Sequence, residues 1–218
     1  MTTEIREFLE QELAILNSTG FVKPDDLPNI DLYMDQITTF MDDQLSACKR
    51  YEDDKILTKT MINNYAKNNL LPPPDKKKYS REHVISMLFI YYLKSILSIN
   101  DIQSILNPLT DKYFGKDKEL NMMDIYKEIF QLEKTESTKL LKDLGKKYQI
   151  ANDTFADFPE EDQEMLHNFS YICLLSFDVY MKKMLIEQMI DSYKEKKESE
   201  KKDPEKKTSE KSKPESAS

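Results

Sequence analysis

Residues 57–106 read LTKTMINNYAKNNLLPPPDKKKYSREHVISMLFIYYLKSILSINDIQSIL, and the order of residue types in this stretch decides the fold. A polar segment with helical spacing comes first. It is followed by Leu-Leu-Pro-Pro-Pro, a lysine-rich turn and two apolar segments. Each proline fixes its own φ and lacks an amide donor, so the first helix must end before residues 72–74 and the chain must leave it extended. The stretch therefore predicts three helices, with a stiff connection and a tight basic turn after the first.

The first of these helices is predicted to begin at a Thr58 cap and to run to about Asn68. Its apolar side chains fall together on one face: Met61, Ile62, Tyr65 and Ala66. Thr60, Asn63 and Lys67 fall on the opposite face, and Lys59 and Asn64 flank them. Asparagine is a poor interior helix residue, so a role other than helix formation is expected for Asn63. Asn69 is expected to end the helix in a left-handed conformation.

The lysine turn is predicted to form a short β-ribbon over residues 75–79 that carries Lys76, Lys77 and Lys78. Ser80 is placed to cap the next helix, whose run over residues 84–93 is almost continuously apolar and should be central and buried. Ser98 then begins a shorter helix, and Pro108 is expected to lie just past its end. Before this stretch, Asn29 or Asp31 is expected to cap a helix to about Cys48, with Ile30 on its apolar side.

The charge is concentrated in blocks along the chain. Residues 1–54 carry 4 basic and 13 acidic side chains, whereas residues 55–94 carry 8 basic and 2 acidic ones, within a chain of net charge −8. A net-acidic protein repels nucleic acid, so the basic block is the candidate contact surface. The alternative is that its lysines only solvate an exposed helix and loop.

Residues 58–106 resemble the winged helix-turn-helix of the MerR family of bacterial transcription regulators. The residues that carry the resemblance are Thr58, Ile62, Tyr65, Leu70, Leu71, Pro72, Tyr79, Ser80 and Ser98. Two features depart from that family: Asn63 stands where it usually has an arginine, and the wing is very short. The resemblance implies that the helix from Thr58 lies in the major groove of DNA, where asparagine can pair with adenine.

Residues from about 28 to 108 also closely resemble a bacterial family catalogued as a domain of unknown function, number 1836, whose members are thought to be MerR-like. Together these resemblances imply double-stranded DNA as the partner and homodimerisation through helices after the DNA-binding region. The candidate DNA-contacting residues are Lys59, Thr60, Asn63, Asn64, Lys67, Lys76, Lys77, Lys78, Tyr79 and Arg81.

The fold class expected is all-α, in four segments. Residues 1–27 form an N-terminal helix and linker, and residues 28–108 the MerR-like winged helix-turn-helix. Residues 109–193 form a helical domain, which the MerR resemblance makes a dimerisation domain or the site of a small-molecule effector. Residues 194–218 mix Lys, Glu and Ser with little apolar content, so a disordered tail is expected.

The second half predicts one long helix or two shorter ones over residues 122–148, then a helix to about Lys197. The section over residues 169–181 of the later helix is apolar almost all round, and must be enclosed by its own domain or by a second subunit. Its aromatic and methionine residues could line a ligand pocket, but ordinary core packing is the more common use of such a set: Phe169, Tyr171, Phe177, Tyr180, Met181 and Met184.

Several function classes find no support in the sequence. Only three glycines are present, and no glycine-rich phosphate loop exists. The cysteines Cys48 and Cys173 and the histidines His83 and His167 show no metal-ligand spacing, so no metal or cofactor is expected and both thiols should be reduced. No apolar run is long enough for a membrane span and no leader pattern is visible, which favours the cytoplasm. We expect no enzyme activity.

Two hypotheses remain. The first is a sequence-specific DNA-binding transcriptional regulator that acts as a homodimer. The second is a protein-interaction adaptor that kept the winged-helix fold and lost DNA contact, as the missing arginine, the short wing and the charge of −8 suggest.

Overall fold

The computed structural model describes residues 21–115 and 119–210, and within these the chain is predominantly helical, as expected. The helices are α1 (Met34–Gln44), α2 (Lys59–Lys67), α3 (Arg81–Leu93), α4 (Ile99–Tyr113), α5 (Met122–Asn152) and α6 (Glu160–Glu210). Two short strands are β1 (Leu32–Tyr33) and β2 (Lys78–Tyr79). The helix predicted near the N-terminus lies outside the described residues.

Helix α3 is the centre of the fold. Its residues are buried on nearly every side, including the polar residues Glu82, His83 and Ser86. The core around it draws side chains from most of the other elements: Val22, Ile37, Met41, Ile62, Leu70, Leu71, Ile102, Leu106, Met122 and Tyr126. The prediction of a central, buried helix after Ser80 is confirmed.

A two-stranded antiparallel pairing joins the lysine turn to the start of α1. Leu32 pairs with Tyr79 and Tyr33 pairs with Lys78. This pairing corrects the expected start of α1, because it holds residues 32–33 extended and the helix begins only at Met34. The side-chain Oε1 of Gln36 accepts a hydrogen bond from the Tyr33 amide at 2.8 Å, and Ile30 is 68% exposed instead of joining the apolar stripe.

Helix α4 runs through Pro108 to Tyr113, so the expected end before this proline is wrong. Proline leaves a carbonyl of the preceding turn without its helical partner. The apolar face nevertheless continues past it, because Leu106 and Thr110 are buried and Leu109 packs against the core. The burial of that face outweighs the lost hydrogen bond.

Helices α5 and α6 form a long antiparallel hairpin. At 1.5 Å per residue the 31-residue α5 spans about 46 Å. The segment over residues 135–138, where the sequence allowed a break, is continuous helix. The hairpin stays joined to the rest of the fold, because Met122 and Tyr126 of α5 and Ile190 of α6 are buried in the common core.

Helix α6 continues past the end expected near Lys197. Its backbone is helical to Glu210, and Lys194 forms an ion pair with Asp101 of α4 at 2.8 Å. Lysine and glutamate are good helix formers, so a solvated charged segment can extend an existing helix without burying apolar surface. Among the described residues, no helix has the length and apolar character needed to cross a membrane.

Candidate nucleic-acid interface

The outer face of α2 presents the polar side chains that the sequence predicted. Lys59, Thr60, Asn63, Asn64 and Lys67 are all exposed. On the opposite side Ile62 and Tyr65 are buried, and Met61 packs against the core. The helix therefore projects cationic and amide groups to solvent from a firmly packed base.

Both ends of α2 are fixed by local hydrogen bonds. The Thr58 hydroxyl accepts from the Met61 amide at 3.2 Å, as an N-cap should. At the other end Asn69 has a φ of 54°. The Leu70 amide donates to the Tyr65 carbonyl at 2.9 Å and the Asn69 amide donates to the Ala66 carbonyl at 3.2 Å. This pair of bonds is a Schellman motif, so the left-handed end predicted at Asn69 is confirmed.

The lysine turn is a tight four-residue turn. The Lys78 amide donates to the Asp75 carbonyl at 2.8 Å, and the two central residues have positive φ values, 47° at Lys76 and 66° at Lys77. Two consecutive positive φ values define a type I′ turn, which normally carries Asn-Gly because other L-residues are strained there. Here two exposed lysines occupy those positions.

The start of α2 and the lysine turn converge on the start of α1. Lys59 forms an ion pair with Asp35, and the Lys78 ammonium lies over the Tyr33 ring, 5.2 Å from its centroid. Tyr33 and Asp35 are two residues apart, so the cations of both elements border the same short segment. We call the exposed set Lys59, Thr60, Asn63, Asn64, Lys67, Lys76, Lys77 and Lys78 the basic surface.

Two of the predicted contact residues lie elsewhere. Tyr79 is only 4% exposed, because its strand position alternates with Lys78 and turns its ring into the core. Its expected contact with DNA is therefore corrected to a structural role. Arg81 is half-buried, and its Nε donates to the Pro28 carbonyl at 3.0 Å, so part of its guanidinium is occupied by the protein itself.

His83 is a residue whose position the sequence reasoning missed. Its Nδ1 accepts from the Ser80 amide at 2.9 Å, and its Nε2 faces the Pro73 carbonyl at 3.3 Å. Because Nδ1 is an acceptor, the ring proton of the neutral form lies on Nε2 and donates to Pro73. His83 thus ties the proline connection to the start of α3. The signal for this role was its place three residues after Ser80, where a capping box usually has Glu.

Burial lowers the pKa of His83 below its ordinary value. The Pro73 carbonyl and the carboxylates of Glu82 and Asp31 oppose this shift but are weaker than desolvation. The imidazole is therefore held neutral, which matches its acceptor role at Nδ1. Glu82 is itself buried and accepts from the Ser80 hydroxyl at 2.6 Å.

A polar cavity of about 400 Å³ lies between the starts of α3 and α5. Charged side chains of both signs line it: Asp31, Arg81, Glu82, Asp124 and Lys127. Its volume lies in the range of small-molecule sites, but its lining is more polar than such sites usually have. No three His, Cys, Asp or Glu side chains gather as a metal site within the described ranges.

Most of the aromatic and methionine residues singled out in α6 are exposed in the single chain, instead of forming the ordinary core that the sequence favoured over a ligand pocket. Phe169, Phe177 and Tyr180 are each about 60% exposed, and Met181 is 48% exposed. Tyr171 alone of the aromatic residues in this set turns inward, against Tyr148 of α5 with the ring centroids 5.6 Å apart. The reason is that α5 covers one side of α6 only.

Comparison with known proteins gives one result. A family model described as Domain of unknown function (DUF1836) matches residues 22–130, which include the basic surface, most of the core and the first part of α5. No curated protein and no solved structure matched the chain.

Proposed function

Because the chain belongs to the family named Domain of unknown function (DUF1836), which carries no activity in its name, we propose its function from the site: a sequence-specific DNA-binding transcriptional regulator that acts as a homodimer. The fold proposed for residues 28–108 is a MerR-like winged helix-turn-helix. In it α1 and α2 form the helix pair and the lysine turn forms the wing.

The observation that carries the proposal is the convergence of two separate cationic elements at the start of α1. Lys59 forms an ion pair with Asp35, and the Lys78 ammonium lies over the Tyr33 ring. A duplex that contacts the exposed face of α2 therefore also lies next to the lysine turn. The turn lysines supply phosphate contacts, which give affinity without sequence information. The amides of Asn63 and Asn64 supply the donor and acceptor pair that reads adenine in the major groove.

The first test measures the affinity of the full chain for duplex DNA from its own promoter region, from about 50 to 200 mM salt. Replacing Lys76, Lys77 and Lys78 together by Ala should weaken binding and reduce the salt slope by about 3, since each phosphate contact contributes about 0.9. The matched control replaces three exposed lysines of α5, Lys127, Lys142 and Lys146, and should leave the slope unchanged. Equal effects of the two triple variants, or no binding at about 50 mM salt, would refute the proposal.

The second test addresses base reading by Asn63. Asn63→Ala should reduce the preference for the operator over unrelated DNA by about 5- to 150-fold, the worth of one bidentate base contact. The affinity for unrelated DNA should stay within about twofold. A uniform loss on both DNAs would assign Asn63 to backbone contact instead.

A second candidate function is a protein-interaction adaptor that does not bind DNA. The Asp35 carboxylate favours it, because this group is 77% exposed beside the basic surface and already pairs with Lys59. Ile30 is also exposed beside α1, in an open groove with Leu32 and Phe40. A pull-down that returns one stoichiometric protein and no enriched DNA would support the adaptor.

A further inference from the structure

The polar cavity between the starts of α3 and α5 is lined by three separate parts of the chain. The segment before β1 supplies Asp31, the first turn of α3 supplies Arg81 and Glu82, and the first two turns of α5 supply Asp124 and Lys127. With a volume of about 400 Å³, the cavity is large enough for a small organic molecule. Its three acids and two bases make it suited to a ligand with charges of both signs.

The Glu82 carboxylate is the buried acceptor of this cavity. The residue is only 7% exposed, and its Oε2 accepts from the Ser80 hydroxyl at 2.6 Å. Its second oxygen, Oε1, has no hydrogen-bond donor among the residues that the structure describes. No side-chain oxygen of those residues is both fully enclosed and without a partner, so Oε1 is open to the cavity that Glu82 lines. A ligand N–H that donates to Oε1 would make a charge-assisted hydrogen bond there.

Arg81 supplies donors beside this acceptor. Its Nε donates to the Pro28 carbonyl at 3.0 Å, which holds the guanidinium in place. Its two terminal nitrogens have no acceptor within the described part of the chain. Such a pair of nitrogens binds a carboxylate through two parallel hydrogen bonds. The positive end of the dipole of the 13-residue α3 lies at the same place and also favours an anion.

We propose that this cavity binds a basic α-amino acid. The terminal nitrogens of Arg81 bind its carboxylate, and Oε1 of Glu82 accepts from its α-ammonium group. Both ligand groups are attached to the same carbon, so they fit two partners that stand next to each other in the first turn of α3. A simple anion would leave the buried Oε1 without a donor, and a simple amine would leave the guanidinium nitrogens unused.

The rest of the lining selects a basic side chain. With Arg81 and Glu82 assigned to the two charged groups of the ligand backbone, the remaining charges are those of Asp31, Asp124 and Lys127. Two acids and one base sum to −1, and Lys127 is exposed, so water solvates its ammonium. A cationic side chain complements this charge, whereas an acidic one is repelled by it. L-lysine should therefore bind more tightly than L-glutamine, and L-glutamine more tightly than L-glutamate.

This inference goes beyond the proposed function, because it needs neither DNA nor a second copy of the chain. It is tested on the full chain without DNA, so the two can fail separately. A chain that binds L-lysine and not DNA would refute only the proposed regulator. A chain that binds DNA and no amino acid would refute only the ligand site.

The first measurement is calorimetric titration of the full chain with L-lysine, L-glutamine and L-glutamate, each to about 10 mM, which detects dissociation constants in the millimolar range and below. Thermal unfolding is followed in parallel, because a ligand that binds only the folded chain raises its midpoint. At about 100 times the dissociation constant of L-lysine, this rise should be roughly 5–10 °C. No heat and no shift with any of the three, or tighter binding of L-glutamate than of L-lysine, would overturn the proposal.

Analogues of L-lysine that lack one group test each contact separately. Cadaverine lacks the carboxylate, and 6-aminohexanoate lacks the α-ammonium group. Each should bind about 10- to 150-fold more weakly than L-lysine, which is the worth of one hydrogen bond to a charged group. Cadaverine that binds as tightly as L-lysine would show a cation site only. Inorganic phosphate that does so would show an anion site only, and either result overturns the proposal.

Two variants then assign the contacts to residues. Glu82→Gln should weaken L-lysine binding about 10- to 150-fold, because it removes the charge that faces the α-ammonium group. Its amide oxygen can still accept from Ser80, so circular dichroism should be unchanged. Arg81→Lys should weaken binding to a similar extent, because lysine keeps the charge but lacks the paired nitrogens.

The controls are Glu128→Gln and Arg50→Lys, which make the same changes at exposed positions outside the cavity lining. Both should bind L-lysine within about twofold of the unchanged chain, since neither residue contacts the ligand. A folded Glu82→Gln chain that binds L-lysine as tightly as these controls overturns the proposal. The analogue series needs no substitution, so it decides the question if Glu82→Gln does not fold.

Discussion

Lys77→Gly is expected to stabilise the protein while weakening its binding to DNA. Lys77 has a φ of 66° in the type I′ turn, and a left-handed conformation costs an L-residue with a Cβ about 1–2 kcal/mol. Glycine removes that strain, but its extra freedom in the unfolded chain takes back about 0.5–1 kcal/mol. The net gain should be about 0.5–1 kcal/mol in the free energy of unfolding, or a rise of roughly 1–4 °C in the midpoint of thermal unfolding.

Charge must be separated from conformation in this experiment, since Lys77 lies between two other lysines. Lys77→Ala removes the same charge and keeps the strained Cβ, so the difference between the Gly and Ala variants reports the backbone alone. This difference is measured by urea unfolding, monitored by circular dichroism. The protein concentration is kept fixed, because the chain is proposed to dimerise. Lys55→Gly, an exposed position without positive φ, should be neutral or destabilising.

The DNA readout of the same variants should move in the opposite direction. Both Lys77 variants lose one cation, so both should lower the slope of log affinity against log salt by about 0.9. A Lys77→Gly variant no more stable than Lys77→Ala would refute the strain at this position, because the turn would then not hold the left-handed conformation. A salt slope equal to that of the unchanged protein would remove Lys77 from the contact surface.

Three further predictions concern other parts of the same site. The first concerns Asn69, where φ is 54°. In urea titrations Asn69→Gly should raise the free energy of unfolding by a few tenths of a kcal/mol, whereas Asn69→Val should lower it by about 1–2 kcal/mol. Equal stability of the two variants would contradict the Schellman motif at the end of α2. The second concerns His83: burial lowers the pKa of its imidazole, so the native state binds a proton there more weakly than the unfolded chain does. The free energy of unfolding should therefore fall as the pH drops below about 6.5, by up to about 1.4 kcal/mol per pH unit, until the pKa of His83 in the folded state is passed. A His83→Gln variant should lose that part of the pH dependence in unfolding titrations, and an unchanged slope would show that other groups cause it. The third concerns Asp35: Asp35→Asn should tighten binding to DNA several-fold at low salt, because it frees Lys59 and removes a carboxylate that repels phosphate. The control Asp42→Asn breaks the 2.7 Å ion pair with Lys49 and should have no such effect in the same binding assay.

Local signals in the sequence predicted α2 closely. The cap at Thr58 and the left-handed end at Asn69 depend on side chains and backbone groups within one helical turn of each other, which the printed sequence places side by side. The outward set from Lys59 to Lys67 followed from the helical repeat alone. These features needed no knowledge of the rest of the chain.

The predictions from sequence were wrong where residues far apart in the chain determine the local structure. Leu32 and Tyr33 become a strand because Tyr79 and Lys78, 45 or more residues later, pair with them. Tyr79 is buried for the same reason, so a residue that looked like part of a basic turn became core. Helix α4 continues past Pro108 because burial of its apolar face in the core stabilises the last turns of the helix. None of these partners can be identified from the pattern of a short window.

The exposed face of α6 was predicted only in part. Its apolar character was clear from the sequence, and it indicated that the helix must be enclosed by its own domain or by a second subunit. The side covered by α5 depends on contacts such as Lys147 with Asp178, which the sequence does not specify. Only the arrangement of the two helices shows which residues remain open to a second copy.

Two tyrosine hydroxyls hold the chain at the point where the matched region begins. The Tyr126 hydroxyl donates to the Val22 carbonyl at 2.6 Å, and the Val22 amide donates to the Tyr92 hydroxyl at 3.0 Å. The match ends at residue 130, one helical turn beyond Tyr126 and about 6 Å further along α5. The N-terminal and C-terminal ends of the matched region therefore lie side by side. A region with adjacent ends can be circularly permuted or inserted into a surface loop of a host protein, because its termini impose little separation on whatever they join.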